Sequence, residues 1–227
     1  MHRRDFLSVS LAALTASAAT PAFAANLSQA EAARGLKDAL TIAAQTATQR
    51  LGQRDGFFGD DRVRIPLPRA LANVQRTLKP LGMSGSLDDL QLKMNRGAEA
   101  AMPQARRIFV TAIRTVTVQD AVGIVSGGDT AATDYLRRRT EPDLTTALRP
   151  PMTSALSSAG AFRALDRASG ALQGYGVSGD NLRGQVIDFA VSKALDGAFL
   201  YIGEEERRIR HDPVKQTTSL LRTLFGH

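Results

Sequence analysis

Apolar residues along most of the chain recur at steps of three and four, which is the spacing of one face of an α-helix. Ser28 and Glu31 form a capping-box pattern that predicts the start of a first helix. A long stripe between positions 86 and 116 predicts a second major helix, capped by Ser86 and Asp89. Pro103 lies inside this stripe, so we expect a bend there. No stretch alternates with a period of two, and the pattern therefore predicts an all-α, single-domain multi-helix bundle.

The second half of the chain is predicted to hold helices broken by proline and glycine. A helix that starts at Thr140 is expected to be interrupted at Pro150 and Pro151. Further breaks are expected at Gly170, Gly174 and Gly176. Asp180 is predicted to cap a long helix over residues 181–210, and a short helix follows over residues 217–225. The central part of the long helix is apolar nearly all round, which predicts a mostly buried element.

One segment, residues 55–68, departs from the helical pattern. It is rich in glycine, proline and charged residues, yet it carries large apolar residues at Phe57, Phe58, Ile65 and Leu67. Leaving that much apolar surface in water would be unfavourable, so we expect an ordered Pro/Gly-rich loop that packs as a lid on the helices.

The first 24 residues have the pattern of a cleaved signal peptide. Arg3 and Arg4 precede an apolar run, and Ala22-Phe23-Ala24 supplies a small-x-small cleavage site. The paired arginines followed by Phe6 and Leu7 resemble the twin-arginine export signal, and an ordinary secretory signal is the alternative. We therefore expect a periplasmic protein whose mature domain is residues 25–227. No later stretch is long and apolar enough to predict a transmembrane span.

Composition narrows the chemistry of that mature domain. The chain has no cysteine, which excludes disulfides and thiolate nucleophiles. Beyond residue 24 only His211 and His227 remain, too few for a histidine-rich metal site, so any metal would have to sit mostly on carboxylates. No metal site and no cofactor are predicted. The domain holds 27 basic and 21 acidic residues. Outside the cytoplasm this excess favours peripheral contact with anionic surfaces over nucleic acid, although solubility alone would also explain it.

Seven sequence blocks, in order, resemble a bacterial family, domain of unknown function family 4197. The more distinctive ones are Asp55-Gly56-Phe57, the run Arg64-Ile65-Pro66-Leu67-Pro68, Met94-Asn95-Arg96, Ala194-Leu195-Asp196-Gly197 and Ile209-Arg210-His211-Asp212-Pro213. The resemblance spans nearly the whole mature chain. It implies no activity, because the family has no established reaction or ligand.

Two groups of polar residues on predicted helices are candidates for binding a ligand or partner. The first is a stripe beside the apolar face of the first long helix, formed by Asn95, Glu99 and Arg106, to which Arg64 of the loop is added. A structural alternative is a Glu99–Arg106 network that bridges to the loop. The second group is Asp188, Ser192 and Asp196, at steps of four on the late helix. Each carboxylate there must face water or a cavity, or meet an arginine.

Two other patterns favour structural interpretations. Residues 127–130 could form a phosphate-binding turn at a helix start, but a helix cap in which Asp129 occupies the free amides explains them better. The charge run at residues 204–210 predicts Glu204–Arg208 and Glu206–Arg210 pairs at a solvated helix end.

The sequence leaves three functions open. The first is non-catalytic binding of an anionic or amphipathic ligand, or of an envelope partner protein. The second is an acid/base enzyme that uses Asp, Glu and Arg without a cofactor. The third is a structural role in the envelope. Reaction, ligand and oligomeric state are not predicted.

Overall fold

The computed structural model describes residues 28–125, 127–175 and 181–225, and within these ranges the chain forms eight α-helices and no strand. The predicted all-α class is confirmed. The helices are α1 (Gln29–Leu51), α2 (Arg69–Leu78), α3 (Gly85–Arg114), α4 (Val118–Val125), α5 (Ala131–Ala159), α6 (Ala161–Gly174), α7 (Leu182–His211) and α8 (Ser219–Phe225). Short 3₁₀ turns, Lys79–Leu81 and Pro213–Lys215, follow α2 and α7.

The helix starts agree in part with the capping patterns. At α1 the capping box is present, because Ser28 Oγ accepts from the Glu31 amide at 3.2 Å and Glu31 Oε2 accepts from the Ser28 amide at 2.9 Å. The predicted box at Ser86 is wrong. Helix α3 starts at Gly85 after the N-cap residue Ser84, whose hydroxyl donates to Asp88.

Helix α5 continues through three prolines, which corrects the predicted start at Thr140 and the interruption at Pro150 and Pro151. Proline removes a backbone donor, but packing on the opposite face of this helix outweighs that loss. Its buried residues recur at steps of four: Ala132, Leu136, Thr140, Leu144, Leu148, Met152 and Leu156. This unbroken stripe packs chiefly on α3. The left-handed Gly160 (φ 83°) then ends the helix.

The core lies where α1, α3, α5 and α7 meet. Phe109 of α3 and Phe199 of α7 stack edge to face there, with ring centroids 5.4 Å apart. Most residues of α7 between Val186 and Ile202 are buried, as its apolar sequence predicts. Helix α6 continues through Gly170, where a break was predicted. The predicted break at Gly176 and the predicted cap at Asp180 lie outside the described residues.

The segment 55–68 is an ordered loop packed on the helices, as predicted. Phe57 and Ile65 are completely buried, and Leu67 is nearly so, while Phe58 is half-buried. The loop therefore forms one wall of the molecule between α1 and α2.

Among the described residues, no single helix is both long and apolar enough to cross a bilayer. The pair α3 and α4, bent by 94° at their junction, meets the criterion only when its two helices are taken together.

Candidate functional site

A groove of about 660 Å³ lies between the loop wall, the start of α5 and one face of α7. The loop contributes four residues, Arg62, Val63, Arg64 and Pro66. Helix α5 and the residue before it contribute Thr130, Thr133, Asp134 and Arg137. Helix α7 contributes Lys193, Asp196, Gly197, Phe199, Leu200, Gly203, Glu204 and Arg207. Two of the residues singled out in the sequence, Arg64 and Asp196, thus line the same cavity.

The α7 side of the groove is one line of residues at steps of three and four: Lys193, Asp196, Leu200, Gly203 and Arg207. A rise of 1.5 Å per residue makes this line roughly 20 Å long. Cations stand at its two ends, and the exposed Leu200 stands in the middle. The groove is therefore elongated, with charged ends and an apolar centre.

The loop wall is held in place by two of the predicted candidates, Asn95 and Glu99 of α3. Asn95 Oδ1 accepts from the Ile65 amide at 2.9 Å, and its Nδ2 donates to the Ile65 carbonyl at 2.8 Å. Glu99 Oε1 accepts from the amides of Phe57 and Phe58, each at 3.2 Å. Both side chains are buried. Both side chains hydrogen-bond to loop backbone and neither lines the groove, so they fix the wall that carries Arg64.

The predicted network between Glu99 and Arg106 is wrong, because Glu99 pairs with a different arginine. Glu99 Oε2 accepts instead from Arg96 Nη1 at 2.7 Å, and Arg96 Nη2 also donates to Asp55 at 2.7 Å. Arg96 lies one helical turn from Glu99 and also contacts Asp55 of the loop, so it can reach Glu99. Arg106 lies two turns from Glu99, which is too far for a neighbouring pair on one helix face. Arg106 is exposed and makes no ion pair within the described residues.

A buried ion pair fixes the α5 side of the groove. Glu206 of α7 accepts from the amides of Ala132 and Thr133 at 3.0 and 2.8 Å, and from the Thr133 hydroxyl at 2.6 Å. Arg210 donates to Glu206 at 2.9 and 3.0 Å, and to the carbonyls of Ile124 and Val125. Arg210 thus satisfies the last carbonyls of α4, and Glu206 satisfies the first amides of α5.

This arrangement corrects two expectations about residues 127–130 and 204–210. The free amides of α5 are taken by Glu206, not by Asp129, and no phosphate turn is available there. The Glu206–Arg210 pair is present as predicted, but it is buried, not solvated. The predicted Glu204–Arg208 pair is replaced, because Glu204 pairs with Arg62 of the loop at 2.6 Å and Arg208 pairs with Glu205 at 3.0 Å.

The groove lining has an excess of positive charge. Its five cations are Arg62, Arg64, Arg137, Lys193 and Arg207, and its three carboxylates are Asp134, Asp196 and Glu204. Several guanidinium nitrogens remain available for a ligand. Within the described residues, Arg207 uses only its Nε, toward Asp129 at 3.3 Å, and Arg137 does not use its Nη1.

Asp196 bridges two of these cations. It accepts from Arg137 Nη2 at 2.5 Å and from Lys193 Nζ at 2.9 Å. Burial alone would raise the pKa of Asp196, but these two hydrogen bonds outweigh burial and hold the pKa below its ordinary value. The carboxylate is therefore ionised at neutral pH and holds Arg137 and Lys193 together across α5 and α7.

The buried side chain of Tyr201 holds Arg62 in place. The Tyr201 hydroxyl donates to Asp60, and Arg62 Nη2 donates to the same hydroxyl at 2.6 Å. The guanidinium carbons of Arg50 and Arg62 lie 4.2 and 5.0 Å from the centroid of the Tyr201 ring. The Tyr201 hydrogen bond, assisted by Arg62, lowers the pKa of Asp60 to about 2. Arg62 is thus a fixed charge at the rim of the groove.

The remaining predicted candidates lie outside the groove. Asp188 is exposed and pairs with Arg149 of α5, and Ser192 is exposed. Among the described residues, no group of three or more His, Asp or Glu side chains is placed to hold a metal ion.

Four groove cations were missed in the sequence: Arg62, Arg137, Lys193 and Arg207. They come from three separate segments, and no periodic pattern joins them. A signal for two of them was present on α7, where Lys193 and Arg207 fall on the same three-and-four spacing as Asp196 and Gly203.

Comparison with known proteins supports the resemblance found in the sequence. The model of the family described as protein of unknown function (DUF4197) matches residues 26–226, nearly the whole chain. No curated protein and no solved structure matches the chain.

Proposed function

This chain belongs to the DUF4197 family, whose function is unknown, and we propose that it binds a small anionic ligand in the groove between the loop wall, α5 and α7. The observation that carries the proposal is the excess of five cations over three carboxylates in one cavity. Asp196 holds Arg137 and Lys193, and Tyr201 holds Arg62, so these three cations need to acquire little side-chain order on binding.

The groove also favours a ligand with an apolar portion. Leu200, which is 41% exposed, and Pro66 line it between the charged positions. An anion that has an aliphatic or aromatic body would bury this surface while its charged group meets Arg207 or Arg64. This combination supports an amphipathic anion over a small inorganic one.

Binding explains the carboxylates of the groove better than acid/base catalysis does. A general acid requires a carboxyl pKa raised toward neutrality, whereas the pKa of Asp196 is lowered by Lys193 and Arg137. Glu204 is engaged with Arg62. Asp196 and Glu204 thus each position a cation, which is the arrangement that an anion-binding site needs.

We expect this activity in the periplasm, after twin-arginine export and cleavage after Ala24. Residues 25–227 would then form a single binding domain. The support is the Arg3-Arg4 pair with the Ala22-Phe23-Ala24 site, which lie outside the described residues. An acidic segment of an envelope protein would present the same chemistry to the groove as a free anion.

A fluorescent amphipathic anion, 1-anilinonaphthalene-8-sulfonate, tests the proposal directly. We expect saturable binding at low ionic strength that weakens as salt is raised. Decanoate should compete more strongly than acetate or inorganic phosphate if the apolar centre contributes. If phosphate and decanoate displace the probe equally well, the groove is still an anion-binding site, but the ligand needs no apolar portion. Absence of salt-sensitive binding would contradict the proposal.

A further inference from the structure

The 3₁₀ turn after α2 presents two large apolar side chains to solvent. Leu81 is 64% exposed and Met83 is 66% exposed, and only Gly82 separates them. The other exposed large apolar residues of the described chain stand singly in the sequence. We call residues 79–83 the tip; it shares no residue with the groove.

The backbone holds the tip in a defined shape. Gly82 has a left-handed φ of 67°, its amide donates to the Lys79 carbonyl at 3.1 Å, and the Met83 amide donates to the Leu78 carbonyl at 3.1 Å. This is the Schellman pattern of helix termination, in which the apolar residue after the glycine commonly packs back on the preceding turn. Met83 is exposed instead, while Leu78 is buried. The turn therefore directs Met83 outward without needing it for its own packing.

The segment that carries the tip is strongly basic. From residue 65 to residue 87 the sequence has three cations, Arg69, Arg76 and Lys79, and no acidic residue. Arg76 and Lys79, within one turn of the tip, make no ion pair in the described part of the chain. The nearest acidic residues follow at the start of α3. There Asp88 accepts from Ser84 and Gln75, and Asp89 pairs with Arg167.

Exposed apolar side chains beside uncompensated cations form the combination that binds the interface of an anionic bilayer. Apolar side chains enter the headgroup region, and each nearby Lys or Arg adds attraction to acidic headgroups. We propose that the tip docks the protein on the surface of a membrane that contains anionic phospholipid, with Leu81 and Met83 inserted and with Arg76 and Lys79 at the headgroups.

A single tryptophan at the tip tests this docking site. The chain contains no tryptophan, so Met83→Trp gives a signal from the tip alone, and Val214→Trp at an 83% exposed site is the matched control. The apolar run near the N-terminus could bring the full chain to a vesicle by itself, and a local reporter separates that effect. With vesicles of phosphatidylglycerol and phosphatidylcholine, Met83→Trp emission should shift to shorter wavelength. It should not shift with phosphatidylcholine alone, and Val214→Trp should not shift with either.

The charge requirement is tested in the Met83→Trp background. Adding Arg76→Gln and Lys79→Gln should raise the lipid concentration at half-shift roughly tenfold or more, whereas adding Arg106→Gln and Arg107→Gln should leave it nearly unchanged. No shift, or an equal shift with both vesicle types, would overturn the proposal. A shift that depends on protein concentration without vesicles would overturn it too, because a second copy would then cover the tip.

Discussion

Asp196 of α7 accepts a 2.5 Å hydrogen bond from Arg137 of α5, and this contact joins the two helices that form opposite sides of the groove. The same carboxylate holds Lys193, and all three side chains are between 37% and 41% exposed. An ion pair at this exposure stabilises a fold weakly. Its main consequence is the orientation of two cations.

Replacing Asp196 with Asn should therefore change stability little and binding more. We expect the free energy of unfolding to fall by no more than about 1 kcal/mol. Because the neutral Asn side chain no longer holds Arg137 and Lys193 in place, binding of the anionic probe should weaken. Isothermal titration and chemical denaturation measure the two effects, and Asp166→Asn, which breaks a remote exposed pair with Arg183, is the control. Unchanged or tighter binding in Asp196→Asn would contradict the orienting role of this carboxylate.

The Glu206–Arg210 pair should behave in the opposite way. Glu206 is buried and accepts three hydrogen bonds from the start of α5 besides those from Arg210. Glu206→Gln leaves the Arg210 charge buried without its partner, so we expect a loss of about 3 kcal/mol in unfolding free energy. Glu141→Gln, which removes a half-exposed partner of Arg137, should cost less than about 1 kcal/mol. Equal melting temperatures for the two variants would contradict this account of the α4–α5 junction.

These two carboxylates show how far the sequence could lead. Asp196 was found because a charged residue on an apolar helix must meet a cavity or a cation, and the structure shows both. Glu206 was assigned to a solvated helix end, because charge spacing along one helix does not say which other helix packs against it. Only the fold places the free amides of α5 over Glu206.

For the loop contacts, too, the sequence predicted the residues but not their partners. Helical spacing placed Asn95 and Glu99 on one stripe, and they do act on the same loop. Their partners are backbone groups of Phe57, Phe58 and Ile65, and no residue pattern encodes the position of a loop amide. In α5 the prolines were given too much weight, because its buried residues recur at steps of four straight through them.

The pH dependence of the unfolding free energy should include a contribution from the titration of Asp60. Its pKa is lowered from 3.8 to about 2, mainly by the Tyr201 hydroxyl. Because the folded-state pKa is depressed, this contribution is fully present above pH 4 and is lost as the pH falls toward 2. Asp60→Asn should cost about 1 kcal/mol at pH 7 and flatten the unfolding free energy between pH 4 and pH 2. Asp61→Asn, at an 86% exposed side chain, should keep the wild-type slope.

Export is tested by the paired arginines. Arg3→Lys combined with Arg4→Lys should leave the precursor in the cytoplasm, because the twin-arginine route requires that pair. Cell fractionation and the mass of the processed chain measure the outcome. Unchanged export would show that an ordinary secretory signal is used, while the expectation of a periplasmic location would stand.

The most direct test of the groove is to remove two of its cations from different walls. Arg64→Gln with Arg207→Gln should weaken binding of 1-anilinonaphthalene-8-sulfonate roughly tenfold or more, since each lost guanidinium removes a charge-assisted contact. The control is Arg106→Gln with Arg107→Gln, which removes the same charge from exposed positions outside the groove. The control should bind like the wild type, and both proteins should melt within a few degrees of it. Equal affinity in the two double variants would contradict the assignment of the groove as an anion-binding site.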